Sequence, residues 1–213
     1  MKTACNGIQL EFQGLGRRKV EVGFDGGHIS SDGGVLLLRE VDARLGITER
    51  LARCFCDYRR EELIEHSVKE LLRQRVYGLA LGYEDLNDHD DLMRDPLLGL
   101  SLDKDDPEGN DRRRQRDHGK VLASSSTLNR LELTPADADE QSRYKKIVYH
   151  AERLEDLMVD LFLDSFERPP EEIVLDFDAR DDPVHGDQEG RFFHGYYGCY
   201  CYLPLYVTCG DNL

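Results

Sequence analysis

The apolar positions of the chain follow three rhythms. In "VEVGFDGGHISSDGGVLLL", part of residues 7–38, short apolar pieces alternate with Gly and Asp. That rhythm predicts one or two short strands joined by glycine turns. From Val35 the spacing turns helical and ends near Gly46. A second helix is marked by Val68, Leu71, Leu72, Val76, Leu79, Ala80 and Tyr83. Their three- and four-residue intervals put them on one stripe, expected to be buried. "EDLNDHDDLMRDP" predicts a short helix that stops before Pro96, because a residue ahead of proline is steered away from helical dihedrals.

Residues 103–120, "DKDDPEGNDRRRQRDHGK", are nearly devoid of apolar side chains and read as an exposed loop. Order resumes with "SSSTLNRLELTPADADEQ". Thr134, Pro135 and Asp137 then stand in the order of N-cap, first-turn proline and early acid. They predict a helix through Ile147, Ala151, Leu154, Leu157, Met158, Leu161 and Phe162, stopped by Pro169-Pro170. Past the prolines the period changes. "EEIVLDFDA" suits a short buried strand, and "RFFHGYYGCYCYLPLYVTCGD" suggests two more, broken near Leu203-Pro204. The expected class is α+β: a mainly helical region over residues 1–168, then a β region over 169–213.

Composition narrows this picture modestly. A chain of 213 residues, 39% hydrophobic and 33% charged, can support a core in one large or two small domains. No apolar stretch reaches the roughly 20 residues of a membrane span, and residues 1–20 lack a secretory apolar segment. A soluble, cytoplasmic protein with its six cysteines reduced is the expectation. The net charge of −15 argues against a general polyanion binder, although local patches matter more than sums. Nearly half of the excess sits in residues 171–213, which hold nine acids and two arginines.

That excess surrounds "IVLDFDARDDPVHGDQEG", with four aspartates in seven residues. In a strand, Asp176 and Asp178 share one face with Val174. Two carboxylates on an apolar face need ionic or hydrogen-bonded partners. A divalent cation bound by hard oxygens, Mg²⁺ or Mn²⁺, is one solution. The alternative is that both acids face water. His185 and His194 flank a glycine-rich turn and can assist a metal or phosphate, or be ordinary surface residues. Cys54-x-Cys56 and Cys199-x-Cys201 are spaced too tightly for paired zinc ligands and read as packed thiols. Arg112, Arg113, Arg114, Arg116 and Lys120 form a basic cluster suited to phosphates, or a solvated loop weakened by Asp111 and Asp117. Ser126 and Thr127 at a helix start, followed by Asn129 and Arg130, can meet a phosphate or a base edge; capping alone also explains the hydroxyls.

Taken in order, "FDGGHISSDGGVLLLRE", "GYEDLNDHDDLMRDPLLG", "STLNRLE" and "VLDFDARDDPVHGDQEGRFFHGYYGCYCYLPLYV" resemble transposases of bacterial insertion sequences, specifically the transposase DDE domain group 1 family. The resemblance runs from about Gly14 to the last residue. It implies a helical region that contacts the element's DNA ends, working as a homo-oligomer on DNA. It also implies a ribonuclease-H-like domain in which Asp, Asp and Glu hold two Mg²⁺ or Mn²⁺ ions for strand cleavage and transfer. The family's first acid maps onto "DFDAR" at Asp178, with Asp176 the runner-up; Arg180 stands where threonine is common. Asp211 comes too early to be the second acid, so the resemblance implies an incomplete sheet, inactive in transposition by itself. Two other classes compete. In a metal-dependent phosphohydrolase, Asp176 would be the nucleophile and Asp178 the acid/base, but the further lysine and acids of such sites are missing. In a non-catalytic interaction protein all the acids would be solvated.

Overall fold

The computed structural model describes residues 10–12, 20–22, 30, 32–188 and 190–210. The chain divides into two compact units, Met1–Ala151 and Glu152–Leu213. With helices and several small antiparallel sheets, the class is α+β, as the change of hydrophobic period predicts.

The first unit opens with a hairpin of β1 (Leu10–Phe12) and β2 (Val20–Val22), in register Leu10 opposite Val22. Helix α1 (Val35–Leu45) ends where expected: Gly46 takes φ 66°, a left-handed conformation that glycine adopts without Cβ strain, and its N–H bonds the Asp42 carbonyl at 2.7 Å. Helix α2 (Ile47–Ala52) follows directly. Helix α3 (Val68–Ala80) begins with a reciprocal capping box, in which Ser67 Oγ accepts from the Glu70 N–H and the Glu70 carboxylate accepts from the Ser67 N–H. Its buried face is Leu71, Leu72, Gln74, Tyr77 and Gly78. Leu79 and Ala80, expected in the buried stripe, are exposed instead. The helix inserts Gln74 and Tyr77 into its neighbours because both find hydrogen-bond partners there.

Helix α4 (Asp88–Leu92) stops short of Pro96, as predicted, and Pro96 itself opens α5 (Pro96–Ser101). Asp95 caps α5 by accepting the Leu97 and Leu98 N–H groups at 2.8 and 3.2 Å. Helix α6 (Ser125–Glu132) completes the set around the core. One buried cluster joins Val35, Tyr77, Leu92, Leu98, Leu102, Val121 and Leu122; another joins Leu71, Leu72, Ala123, Leu128, Leu131 and Ile147. Helix α3 contributes to both, so it is the spine of the unit. Each fully buried leucine here contributes roughly 1.5–3 kcal/mol. The packing leaves no space at Gly99, where a Cβ would lie 2.5 Å from Val121 Cγ2. Gly99→Ala should therefore destabilise the protein by about 1–3 kcal/mol, read as a lower urea midpoint; an unchanged midpoint would show that α5 can shift away.

Two expectations need correction. Thr134 does not start a helix. Its hydroxyl donates to the Arg130 carbonyl and so finishes α6. Ile147–Tyr149 forms strand β4, paired antiparallel with β3 (Phe55–Asp57), because these β-branched and aromatic residues meet a complementary strand far back in the chain. The 103–120 segment is a loop but a pinned one. Asp106 accepts the N–H groups of Glu108, Asn110 and Asp111, and the Gly119 N–H closes onto the Gly109 carbonyl at 3.0 Å.

The second unit begins within α7 (Ala151–Asp164), whose one buried residue is Leu157. Strand β5 (Asp176–Ala179) pairs antiparallel with β9 (Leu205–Thr208). Strand β8 (Cys199–Tyr202) lies between β6 (Asp182–Pro183) and β7 (Phe192–His194). The break between β8 and β9 falls at Leu203-Pro204, as the proline predicts. The buried-strand reading of "EEIVLDFDA" is overturned. Ile173, Val174 and Leu175 precede the strand and are 46%, 71% and 50% exposed, and β5 is exposed along its length. Among the described residues it pairs with β9 alone.

Candidate functional site

Helix α6 is placed by two long-range contacts. The Gln74 side chain acts as a surrogate peptide: its Oε1 accepts from the Ala123 N–H at 2.9 Å and its Nε2 donates to the Ala123 carbonyl at 2.8 Å. Asp90 then accepts from the Ser125 N–H at 2.9 Å and from its hydroxyl at 2.8 Å. The bond from the Ser125 backbone, then that from its hydroxyl, holds the Asp90 carboxyl below its ordinary range. Ser124, Ser126 and Thr127 therefore need not cap the helix with their side chains; their hydroxyls instead cluster at its start.

That start opens onto a cleft of about 570 Å³ within the first unit. Its wall joins the two basic segments singled out by sequence: Arg112, Arg113 and Arg114 from the loop, and Ser126, Thr127 and Arg130 from α6. Arg116 and Lys120 also line it. Arg59 lines it too, and sequence reasoning missed it; only its place in the basic pair Arg59-Arg60 signalled it. Asn129 faces a neighbouring hollow of about 770 Å³ instead, together with Arg75, Glu84 and Lys145.

These cations are not equivalent. Arg112 is a strut: it pairs with Glu65 at 2.9 Å and donates to His66 Nε2. His66 is buried, and burial, then the charges of Lys104, Arg112 and Arg59, push its pKa down to about 2. A neutral ring can accept the guanidinium hydrogen bond without adding charge. Arg59 is committed to Asp57 and the His66 carbonyl, and Arg113 to the Glu62 carbonyl. Slight burial pushes the Asp117 carboxyl up, but the hydrogen bond and charge of Lys120 with Arg116 and Arg112 hold it below its usual range. Arg114 and Arg130, by contrast, make no side-chain hydrogen bond or ion pair with the described residues. They are the groups left available for an anion.

In the second unit Asp176 and Asp178 are both exposed, opposite Thr208 and Tyr206 in the β5–β9 register. Alternation places both on one side of β5. As hard oxygen donors they suit a divalent cation, but the described residues contain no group of three or more His, Cys, Asp or Glu able to hold a metal ion. The two carboxylates by themselves do not make up such a group. His185 is exposed, while His194 packs its ring 4.7 Å from that of Tyr197. The cysteines described are free thiols, and Cys56 Sγ lies 3.1 Å from His150 Nε2. No described helix is long and apolar enough to cross a membrane.

No curated protein and no solved structure matches the chain significantly. A family model does, that of the transposase DDE domain group 1, over residues 12–213. The match covers nearly the whole sequence, the basic cleft and the aspartate-bearing strand included, and on that ground the chain belongs to the transposase DDE domain group 1 family.

Proposed function

We propose that this chain acts in DNA transposition as a DNA-end-binding element, and that the basic cleft is where it holds DNA. One observation carries the reading: two separate segments, the loop residues Arg112–Arg116 and the α6 residues Ser126–Arg130, converge on one cleft in which the Arg114 and Arg130 guanidinium groups make no bond with the described residues. Arg114 and Arg130 meet phosphates, the α6 hydroxyls add neutral donors, and Arg112 holds the loop in place through Glu65 and His66. The overall charge of −15 then keeps the rest of the surface from binding polyanions indiscriminately.

In the same reading, residues 169–213 belong to a ribonuclease-H-like domain. Asp178, with Asp176 beside it, supplies the first acid toward Mg²⁺ or Mn²⁺. Two carboxylates do not make a two-ion site, so cleavage and strand transfer require further ligands, and assembly as a homo-oligomer on DNA fits such chemistry.

The test is fluorescence anisotropy of the 213-residue chain with a labelled blunt duplex taken from the DNA flanking its coding sequence, at several salt concentrations. Arg114→Ala and Arg130→Ala should each weaken binding about three- to tenfold and lower the salt slope by about one. With Mn²⁺ added, the duplex should stay uncut. Absence of binding at low salt, or variants that bind like the parent, would refute the cleft as the DNA site.

A further inference from the structure

A second basic hollow adjoins the cleft, and its residues Arg60, Arg143, Tyr144 and Lys146 belong to none of the candidate sites singled out by sequence. It measures about 390 Å³ and lies wholly within the first unit. Five cations line it, Arg59, Arg60, Arg130, Arg143 and Lys146, and no Asp or Glu does. Arg59, Leu63, Thr127 and Arg130 line both spaces, so the two share a wall. Arg60 makes no side-chain bond with the described residues, and neither does the shared Arg130. Lys146 donates to the Glu140 carbonyl, a neutral acceptor. At the wall stands Tyr144, 60% exposed, with the Arg143 guanidinium 4.8 Å from its ring centroid.

An exposed aromatic ring set among cations without a carboxylate is the pairing by which proteins hold unpaired nucleotides. The ring takes a base face, and the cations take the phosphates on either side. The volume is that of a small-molecule site. We propose that this hollow is a second nucleic-acid subsite, in which an unpaired nucleotide stacks on Tyr144 while its phosphates meet Arg60, Arg143 and Lys146. A strand leaving a duplex held in the cleft would reach it past Arg130. The inference rests on the cleft being the duplex site, and it adds a preference that the cleft alone does not give: a duplex with a single-stranded overhang should bind more tightly than a blunt one.

The experiment compares the full chain and its variants by anisotropy on the blunt duplex, on the same duplex with a four-thymidine overhang, and on heparin as a plain polyanion. Tyr144→Ala should weaken overhang binding about tenfold and leave blunt-duplex and heparin binding within twofold. Tyr144→Phe should behave like the parent on all three probes, since the ring and not the hydroxyl does the stacking. Tyr144 is exposed, so circular dichroism of the variant should match the parent. Equal affinity of the parent for blunt and overhang duplexes, or a Tyr144→Ala effect of the same size on all three probes, would overturn the subsite. Arg114→Ala on the blunt duplex reports separately on the cleft: if that effect is present and the Tyr144 effect absent, the DNA reading stands and the subsite falls.

Discussion

Replacing Asp42 with alanine should lower the unfolding free energy by about 3 kcal/mol. Asp42 is a buried carboxylate on α1, 6% exposed. It accepts from the Thr48 N–H at 2.8 Å, the Thr48 hydroxyl at 2.5 Å and the Tyr77 hydroxyl at 3.0 Å, with Arg73 Nε at 3.4 Å. Burial alone would push its pKa up; the bonds from Thr48 and Tyr77 and the Arg73 charge outweigh that and hold it below the usual carboxylate range. Truncation strands two buried hydroxyls and a backbone N–H. It also leaves Arg73 with Asp103, which it bonds at 2.7 Å, and with the Thr48 hydroxyl. The same carboxylate ties α1 to the start of α2 and to α3, so its loss loosens three elements together. Urea unfolding at pH 7 measures the effect, and a loss under about 1 kcal/mol would mean that water enters and satisfies the orphaned groups.

Acid should unfold the protein well above the ordinary carboxylate range, and the sign follows from two buried histidines. His89 is fully buried. Burial, then the Arg75 charge, lowers its pKa from 6.5 to about 4, against the opposing pull of Asp88 and Asp90. Gln74 Nε2, already oriented by the Ala123 carbonyl, donates to His89 Nδ1 at 3.2 Å. The ring proton is then on Nε2, which has no partner, and Nδ1 has no room for a second proton without breaking the Gln74 contact. The folded chain thus keeps His89 neutral where the unfolded chain protonates it. Stability is full above about pH 6.5 and is lost as pH falls toward about 4, by about 3 kcal/mol from this residue. His66, pushed down to about 2, extends the loss further into acid, and Asp42, with its lowered pKa, acts in the same direction. Thermal melts between pH 7 and pH 4.5 should show a steadily falling Tm; a flat profile would mean that neither histidine is held neutral.

His66 and His89 also connect stability to the candidate site. His66 accepts from Arg112 at the wall of the cleft, and His89 steadies Gln74, which positions Ala123 just ahead of α6. Protonating either ring would disturb the geometry that presents Arg114 and Arg130. DNA binding and folding should therefore fail over the same acid window.

What could be read directly from the chain was whatever local chemistry decides. The end of α1 at Gly46, the stop of α4 before Pro96 and the break between β8 and β9 at Leu203-Pro204 all follow from backbone preferences acting within a turn or two. The residue blocks that identify the family are likewise contiguous. Local signals failed where partners lie far away. Thr134-Pro135 carries every mark of a helix start, yet it closes α6, and Ile147–Tyr149 becomes a strand because Phe55–Asp57 is there to pair with it. The candidate site divides the same way. Residue types named Arg112, Arg113, Arg114, Ser126, Thr127 and Arg130, but only the packing of α6 through Gln74 and Asp90 brings the two segments to one cleft. Only tertiary contacts decide which arginines are spent on Glu65, Asp57 and a neutral histidine and which remain free, because the availability of a charge depends on its neighbours in space and not on its neighbours in the chain.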